Sequence, residues 1–86
     1  MEKRIAVIIP AYNEELSIAS VVRSVRGLGK GYDVVVVNDA SKDATSREAR
    51  AAGATVIDLP FNLGIGGAVQ TGYKYARSGG YDACIQ

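Results

Sequence analysis

The sequence has no histidine, no tryptophan and a single cysteine, Cys84. With no imidazole and one thiol, a single chain cannot assemble the His/Cys ligand set of a zinc site. One cysteine also excludes an internal disulfide framework, and it fits a reducing compartment. Any metal would have to be held by oxygen ligands. Neither sign of charge is in excess: ten Lys and Arg stand against nine Asp and Glu, a net charge of +1. A polyanion-binding domain shows a clear basic excess, so nucleic acid is not the expected partner. Long hydrophobic runs are missing too. The longest, residues 5–12, is interrupted by Pro10 and falls well short of the ~20 residues that span a bilayer. The start Met-Glu-Lys-Arg is not followed by a signal-peptide core. The expected location is cytoplasmic.

What is present is a globular composition, 48% hydrophobic over 86 residues, enough for one small domain. A chain this short buries a little over ~60% of its unfolded surface, so its stability is marginal unless it pairs with something.

Apolar runs and helical patterns alternate along the chain. Residues 5–10 (IAVIIP) are continuously apolar and rich in β-branched side chains, as in a strand buried on both faces of a parallel sheet. Asn13, Glu14 and Glu15 follow as a helix cap with acids in the first turn. Ile18, Val21, Val22, Val25 and Leu28 then recur at helical spacing, and Gly27, Gly29 and Gly31 end that helix. Residues 32–37 (YDVVVV) read as a second strand. Ser41 or Asp43 caps a second helix running to about Ala52, closed by Gly53. Residues 54–59 (ATVIDL) form a third strand, stopped by Pro60. A glycine-containing loop, residues 62–67, leads into a third helix ending near Ser78, with Ala68, Val69, Gly72 and Ala76 as its buried stripe. Gly79 and Gly80 break it, and residues 81–86 look like a fourth strand cut off part-way.

The βαβαβαβ order predicts an α/β fold, a three-layer doubly wound parallel sheet with right-handed crossovers. The expected strand order is 3-2-1-4. Ligands then bind beyond the carboxyl ends of the strands, at the reversal beside strand 1. Residues 11–14, 38–43 and 60–67 are therefore the candidate loops.

In the first loop, an acid at a strand end can accept ribose hydroxyl protons and a tyrosine ring can lie against a base; equally, Asn13 and the glutamates can simply cap the helix. In the second, Asp39 follows a buried strand and can accept a base N–H or help a metal, while Asp43 and Thr45 read as turn and helix-entry residues. In the third, a Gly-rich turn before a helix invites phosphate, or permits close helix–sheet packing. It is not a dinucleotide fingerprint, because Val69 stands where the last glycine belongs and the turn follows the third strand. No Gly-Lys-Ser/Thr makes it a Walker loop either. Cys84 reads as a buried, inert thiol, and Tyr73, Tyr75 and Tyr81 as packing residues.

Three blocks, IIPAYNEE, VVVVNDASKDAT and FNLGIGGAVQTGYKYA, in that order and spacing, resemble the family 2 glycosyltransferases of the Rossmann-like GT-A fold. The branch most similar includes dolichol-phosphate mannosyltransferase-like and polyprenyl-phosphate sugar transferases. The resemblance covers essentially the whole chain, residues 1–86, as the amino-terminal nucleotide-sugar-binding part of a longer enzyme. It implies a UDP- or GDP-linked sugar donor and transfer to an acceptor, with a polyprenyl phosphate as one class, commonly with inversion. Carried over by position, Pro10, Ala11 and Tyr12 resemble the segment that cradles the base. Glu14 resembles the acid that bonds the ribose, and Asp39 the residue that reads the base. Gly64 and Gly67 belong to a loop that resembles the wall beside the nucleotide. Asn38 departs from the family's usual Asp-Asp pair.

The resemblance also implies a divalent cation, Mg or Mn, in the full-length enzyme. Its Asp-x-Asp ligands and the general base would lie beyond Gln86, so no metal-binding or catalytic residue is expected in this chain, and no transferase activity of these residues alone. Membrane association of the full-length protein is left open. The unpaired edge at strand 4 predicts a homo-oligomer. The alternatives are a non-catalytic α/β nucleotide-binding or self-association module, and another nucleotide enzyme. A nucleotidyltransferase would carry a basic Gly-rich loop after strand 1, which PAYNEE lacks.

Overall fold

The computed structural model describes residues 3–86. Seven elements alternate as expected: β1 (Ile5–Ala11), α1 (Ile18–Arg26), β2 (Tyr32–Asn38), α2 (Thr45–Ala51), β3 (Thr55–Asp58), α3 (Gly64–Ser78) and β4 (Ala83–Ile85). The four strands form one sheet in the order β3-β2-β1-β4, and every pairing is parallel. This is the predicted 3-2-1-4 order.

The apolar runs of β1 and β2 explain why they are central. Their alternate residues feed two cores, one on each face of the sheet. Val34 and Val36 join Ile18 and Val22 of α1 and Ala49 of α2 on one face. Val35, Val37, Ala6 and Ile8 meet Ala68 and Ala76 of α3 on the other. Helices therefore cover both faces, giving three layers. Gly72 sets how close α3 sits: a Cβ built there would lie 2.3 Å from Ile8 Cγ2. Small residues on the buried stripe let the helix approach the sheet.

Element boundaries differ from the sequence reading in physically informative ways. The α1 helix starts at Ile18, not beside Asn13, and its N-cap Ser17 makes no side-chain cap bond. Asn13 takes a left-handed backbone (φ 52°) and spends its side chain on another loop. The α2 helix has Ala44 at its N-cap; Asp43 acts from one position earlier, its Oδ1 accepting the Thr45 N–H at 2.9 Å. The α3 helix begins at Gly64, so part of the predicted loop is helix. Val69 is only half-buried, and Val21 and Leu28 are exposed, because a single sheet gives each helix a narrow contact stripe. Cys84 is likewise half-buried and not fully enclosed. The β4 strand is three residues long. It is moored by Arg4, whose N–H reaches Asp82 Oδ2 at 2.7 Å and whose carbonyl accepts the Asp82 N–H at 2.9 Å. Among the described residues no helix is long and apolar enough to cross a membrane.

Candidate functional site

The parallel sheet puts the carboxyl ends of β1, β2 and β3 on one rim. Register aligns Ala11 with Asn38 and Asn38 with Asp58, so the three following loops leave the sheet side by side. The first and second loops are stitched together mainly by main-chain N–H groups donating to side-chain oxygens. Asn13 N donates to Ser41 Oγ at 2.9 Å and Glu14 N to Thr45 Oγ1 at 2.8 Å. In return Lys42 N donates to Asn13 Oδ1 at 2.9 Å and Ala44 N to Glu15 Oε1 at 3.0 Å. The Asp39 N–H continues the sheet ladder to Ala11 O at 2.9 Å. Ala40 sits at φ 63°, a left-handed backbone that costs a residue with a Cβ about 1–2 kcal/mol. The stitching on either side holds it there.

Asp39 joins the second loop to the third. Its side chain is buried, and its oxygens accept two successive main-chain donors at the start of α3: Leu63 N at 2.6 Å and Gly64 N at 2.9 Å. A carboxylate at that place complements the positive end of the helix. Its neighbour Asn38 is equally committed. The Asn38 Oδ1 accepts from Ser41 N at 3.1 Å, and its Nδ2 donates to Asp58 Oδ1 at 2.9 Å. Asp58 in turn receives Arg50 Nη2 at 2.8 Å. The Asn38 hydrogen bond, followed by Arg50, holds the Asp58 carboxyl below its ordinary value. The Thr45 hydroxyl does the same for Asp43, chiefly by donating to its carboxylate.

A cleft of about 100 Å³ opens between these loops, lined by Pro10, Ala11, Tyr12, Glu14, Asp39, Ile65 and Ala68. Five of the seven residues expected from the sequence thus share one small space. Tyr12 presents its ring at the mouth, 46% exposed. Among the described residues the Glu14 carboxylate is tied only to Ser17 Oγ of its own turn, at 3.2 Å. Gly64 acts one step back, through the N–H it gives Asp39. Gly67 does not line the cleft; a Cβ there would press on Leu63 Cβ at 2.7 Å, so its smallness serves packing. Ile65 and Ala68 were missed as wall residues, because the helix starts earlier than the glycines suggested. Ser41 and Thr45, hidden among turn residues, prove to be fasteners of the rim.

A larger cavity, about 630 Å³, lies at the amino ends of the strands, between Arg4, Arg26, Lys30, Asp33 and Tyr81 among others. Its polar groups are largely spent on one another: Arg4 pairs with Asp33 at 3.2 Å and the Tyr81 hydroxyl donates to the same oxygen at 2.7 Å. Open α/β sheets bind ligands at the opposite end, where the small cleft is. Among the described residues no group of three or more acidic or thiol side chains could hold a metal. Both Asp39 oxygens already accept main-chain donors, so these residues do not by themselves form a divalent-cation site.

The chain matches the model of "Glycosyl transferase family 2" over residues 6–83. It is 46% identical over 57 residues to the 4,4'-diaponeurosporenoate glycosyltransferase of Staphylococcus aureus, covering 66% of this chain and 15% of that protein. Its fold is similar to that of Mycobacterium tuberculosis glucosyl-3-phosphoglycerate synthase: TM-score 0.69 with 32% identity, over 79% of this chain and 28% of the other. A crystal structure of that synthase with Mn²⁺, uridine diphosphate and glucosyl-3-phosphoglycerate aligns with TM-score 0.75 and 29% identity, over 96% of this chain and 33% of the other. The chain thus spans a third or less of the length of these relatives. Matched from the second residue of β1 to the first of β4, with the same α/β layers as solved transferases, this chain belongs to glycosyl transferase family 2.

Proposed function

We propose that this chain is the part of a family 2 glycosyltransferase that binds the nucleotide of a nucleoside-diphosphate sugar, with UDP as the nucleotide. The observation that carries the reading is the shared cleft of Pro10, Ala11, Tyr12, Glu14 and Asp39. Each group has a task its chemistry suits. The exposed Tyr12 ring offers a face for a base. Asp39 keeps lone pairs beyond those used by Leu63 and Gly64, and a buried carboxylate accepts a base N–H strongly. Glu14, held only within its own turn, accepts ribose hydroxyl protons. The choice of UDP is supported by the mycobacterial synthase, whose structures hold UDP and UDP-glucose with Mn²⁺. The cleft of about 100 Å³ is below the usual ~300–1,000 Å³ of ligand sites, so it takes one end of the donor only.

In the whole protein the reaction would be displacement at the anomeric carbon, with an acceptor hydroxyl or phosphate oxygen attacking and the nucleoside diphosphate leaving. The residues described here bind and orient the donor; the acceptor and any proton transfer belong to residues outside this chain. The dolichol-phosphate mannosyltransferase-like resemblance makes a polyprenyl phosphate the acceptor class we infer, and a divalent cation would be held by residues beyond these.

The test is a titration of the ¹⁵N-labelled chain with UDP and GDP, with and without Mn²⁺. Weak UDP binding should move the amides of Tyr12, Glu14, Asp39 and Gly64. Tyr12→Ala should weaken it about tenfold, for a base–aromatic stack of about 1–3 kcal/mol. Shifts confined to the cavity at the amino ends of the strands, or tight binding that depends on Mn²⁺, would overturn the reading.

A further inference from the structure

Among the described residues, three polar ones are buried, Asn38, Asp39 and Thr45, and Thr45 has no exposed surface at all. A buried hydroxyl needs an acceptor for its proton and a donor for its oxygen. Thr45 has both. Its proton goes to Asp43 Oδ1 at 2.5 Å, and its oxygen accepts the Glu14 N–H at 2.8 Å. The direction of this relay is fixed at its far end. An ionised carboxylate can only accept, so the hydroxyl proton points at Asp43 and a lone pair points at Glu14. Asp43 is itself held, with Oδ1 accepting the Thr45 N–H at 2.9 Å and Oδ2 the Glu15 N–H at 3.3 Å.

Glu14 is the cleft residue on which this relay ends. Its carbonyl accepts the N–H groups of Ser17 at 3.0 Å and Ile18 at 2.9 Å, at the entry to α1. Its amide reaches across to Thr45, 31 positions along the chain and the first residue of α2. The backbone of Glu14 is thus stretched between two helices, and the Thr45 oxygen sets its position on the α2 side. A valine at 45 has nearly the same shape but puts a methyl where the oxygen stood. Carbon needs about 3.5–4.0 Å from a neighbouring heavy atom, against the present 2.8 Å. The Glu14 amide would have to retreat by about 1 Å. A hydroxyl–carboxylate bond of about 2.7 Å, stretched by that much, is no longer a hydrogen bond.

We propose that Thr45, oriented by Asp43, is the positioning residue that sets Glu14 against the sugar of the nucleotide, and that this pair gives the cleft its preference for ribose over deoxyribose. The proposal rests on the reading of Glu14 as the acceptor of ribose hydroxyl protons. Thr45 touches no ligand; it acts through the backbone of Glu14.

The experiment titrates the labelled chain with UDP and with its dideoxyribose analogue, dideoxyuridine diphosphate, and takes the ratio of the two affinities. The native chain should prefer UDP about tenfold, for a hydrogen bond to a charged acceptor. Thr45→Val should bring the ratio close to one and speed exchange of the Glu14 amide. Thr45→Ser, which keeps the hydroxyl, should keep the ratio near ten. Thr45→Ala removes the hydroxyl without placing a methyl against the amide, should also lower the ratio, and serves if the valine variant does not fold. A merely structural role for Thr45 would weaken both ligands in parallel and leave the ratio alone. A tenfold ratio retained in a folded Thr45→Val or Thr45→Ala chain would therefore overturn the proposal while the reading of Glu14 stands. A ratio lost equally in Thr45→Ser would overturn it too, since the hydroxyl would not be the cause. A native chain that binds both ligands alike would refute the role of Glu14 itself, and the proposal with it.

Discussion

Replacing Asn38 by aspartate restores the acidic pair usual in the family and sets it against Asp58. In the native chain Asn38 Nδ2 gives Asp58 Oδ1 a hydrogen bond at 2.9 Å. In Asn38→Asp that donor becomes a second anionic oxygen at the same separation. Two unit charges about 4 Å apart repel by about 4 kcal/mol at an effective dielectric of about 20. Asp58 is partly exposed and keeps Arg50, so about half of that survives. The lost hydrogen bond to a charged group adds about 1.5 kcal/mol. The variant should therefore be about 3.5 kcal/mol less stable at pH 7, by urea unfolding followed by circular dichroism. The pH dependence carries the sign. Repulsion raises the pKa of one carboxyl of the folded pair above its unfolded value of about 3.9. The folded variant then binds the extra proton, so stability returns as pH falls from 7 towards 4. The native chain does the opposite. Its Asp58 pKa is lowered, so that group's stabilisation is present above the unfolded value and is lost as pH falls through the folded one. Asn38→Ala, which loses the bond without adding charge, should lack the recovery. If Asn38→Asp and Asn38→Ala are equally unstable at pH 7, or their difference does not change with pH, the reasoning fails.

Asp39→Asn turns one acceptor into a donor facing the start of α3, and should cost about 1–3 kcal/mol. Amide exchange should show lost protection at Leu63 and Gly64; unchanged protection would deny Asp39 its anchoring role. Gly72→Ala drives a methyl into Ile8 and should cost about 1–3 kcal/mol by thermal melting, partly relieved by Ile8→Val in the same chain. Burial first, then the Asp33 carboxylate, pushes the Tyr81 hydroxyl up to about 12. Its folded pKa exceeds its unfolded value, so its stabilisation is complete below about pH 10. It should be lost as pH rises towards the folded value. Absorbance titration should show one of the five tyrosines ionising late, and Tyr81→Phe should remove that step.

Strand order and layers were legible because β1 and β2 carry apolar runs rich in β-branched residues, which suit a sheet covered on both faces. Pro10, Ala11, Tyr12, Glu14 and Asp39 could be placed together because a parallel sheet gathers all strand carboxyl ends on one rim. Helix starts were less legible. Asn13 has the composition of a cap, yet its side chain bonds Lys42, 29 positions along the chain, and local propensity carries no trace of such a partner. Gly64 and Gly67 suggested a loop, since the Asp39 carboxylate that anchors a helix start there comes from a distant segment. The Asn38–Asp58 pairing was likewise hidden, because it depends on the β2–β3 register.

The fastening of the rim divides labour along the first loop. Asn13 and Glu15 commit their side chains to the neighbouring loop, where Ser41 and Thr45 reply. Tyr12 and Glu14 carry no such duty. The path of the backbone and the chemistry it displays are thus written in different positions. On the proposed reading, substitutions at 12 and 14 would change what the cleft accepts while the scaffold under them keeps its shape.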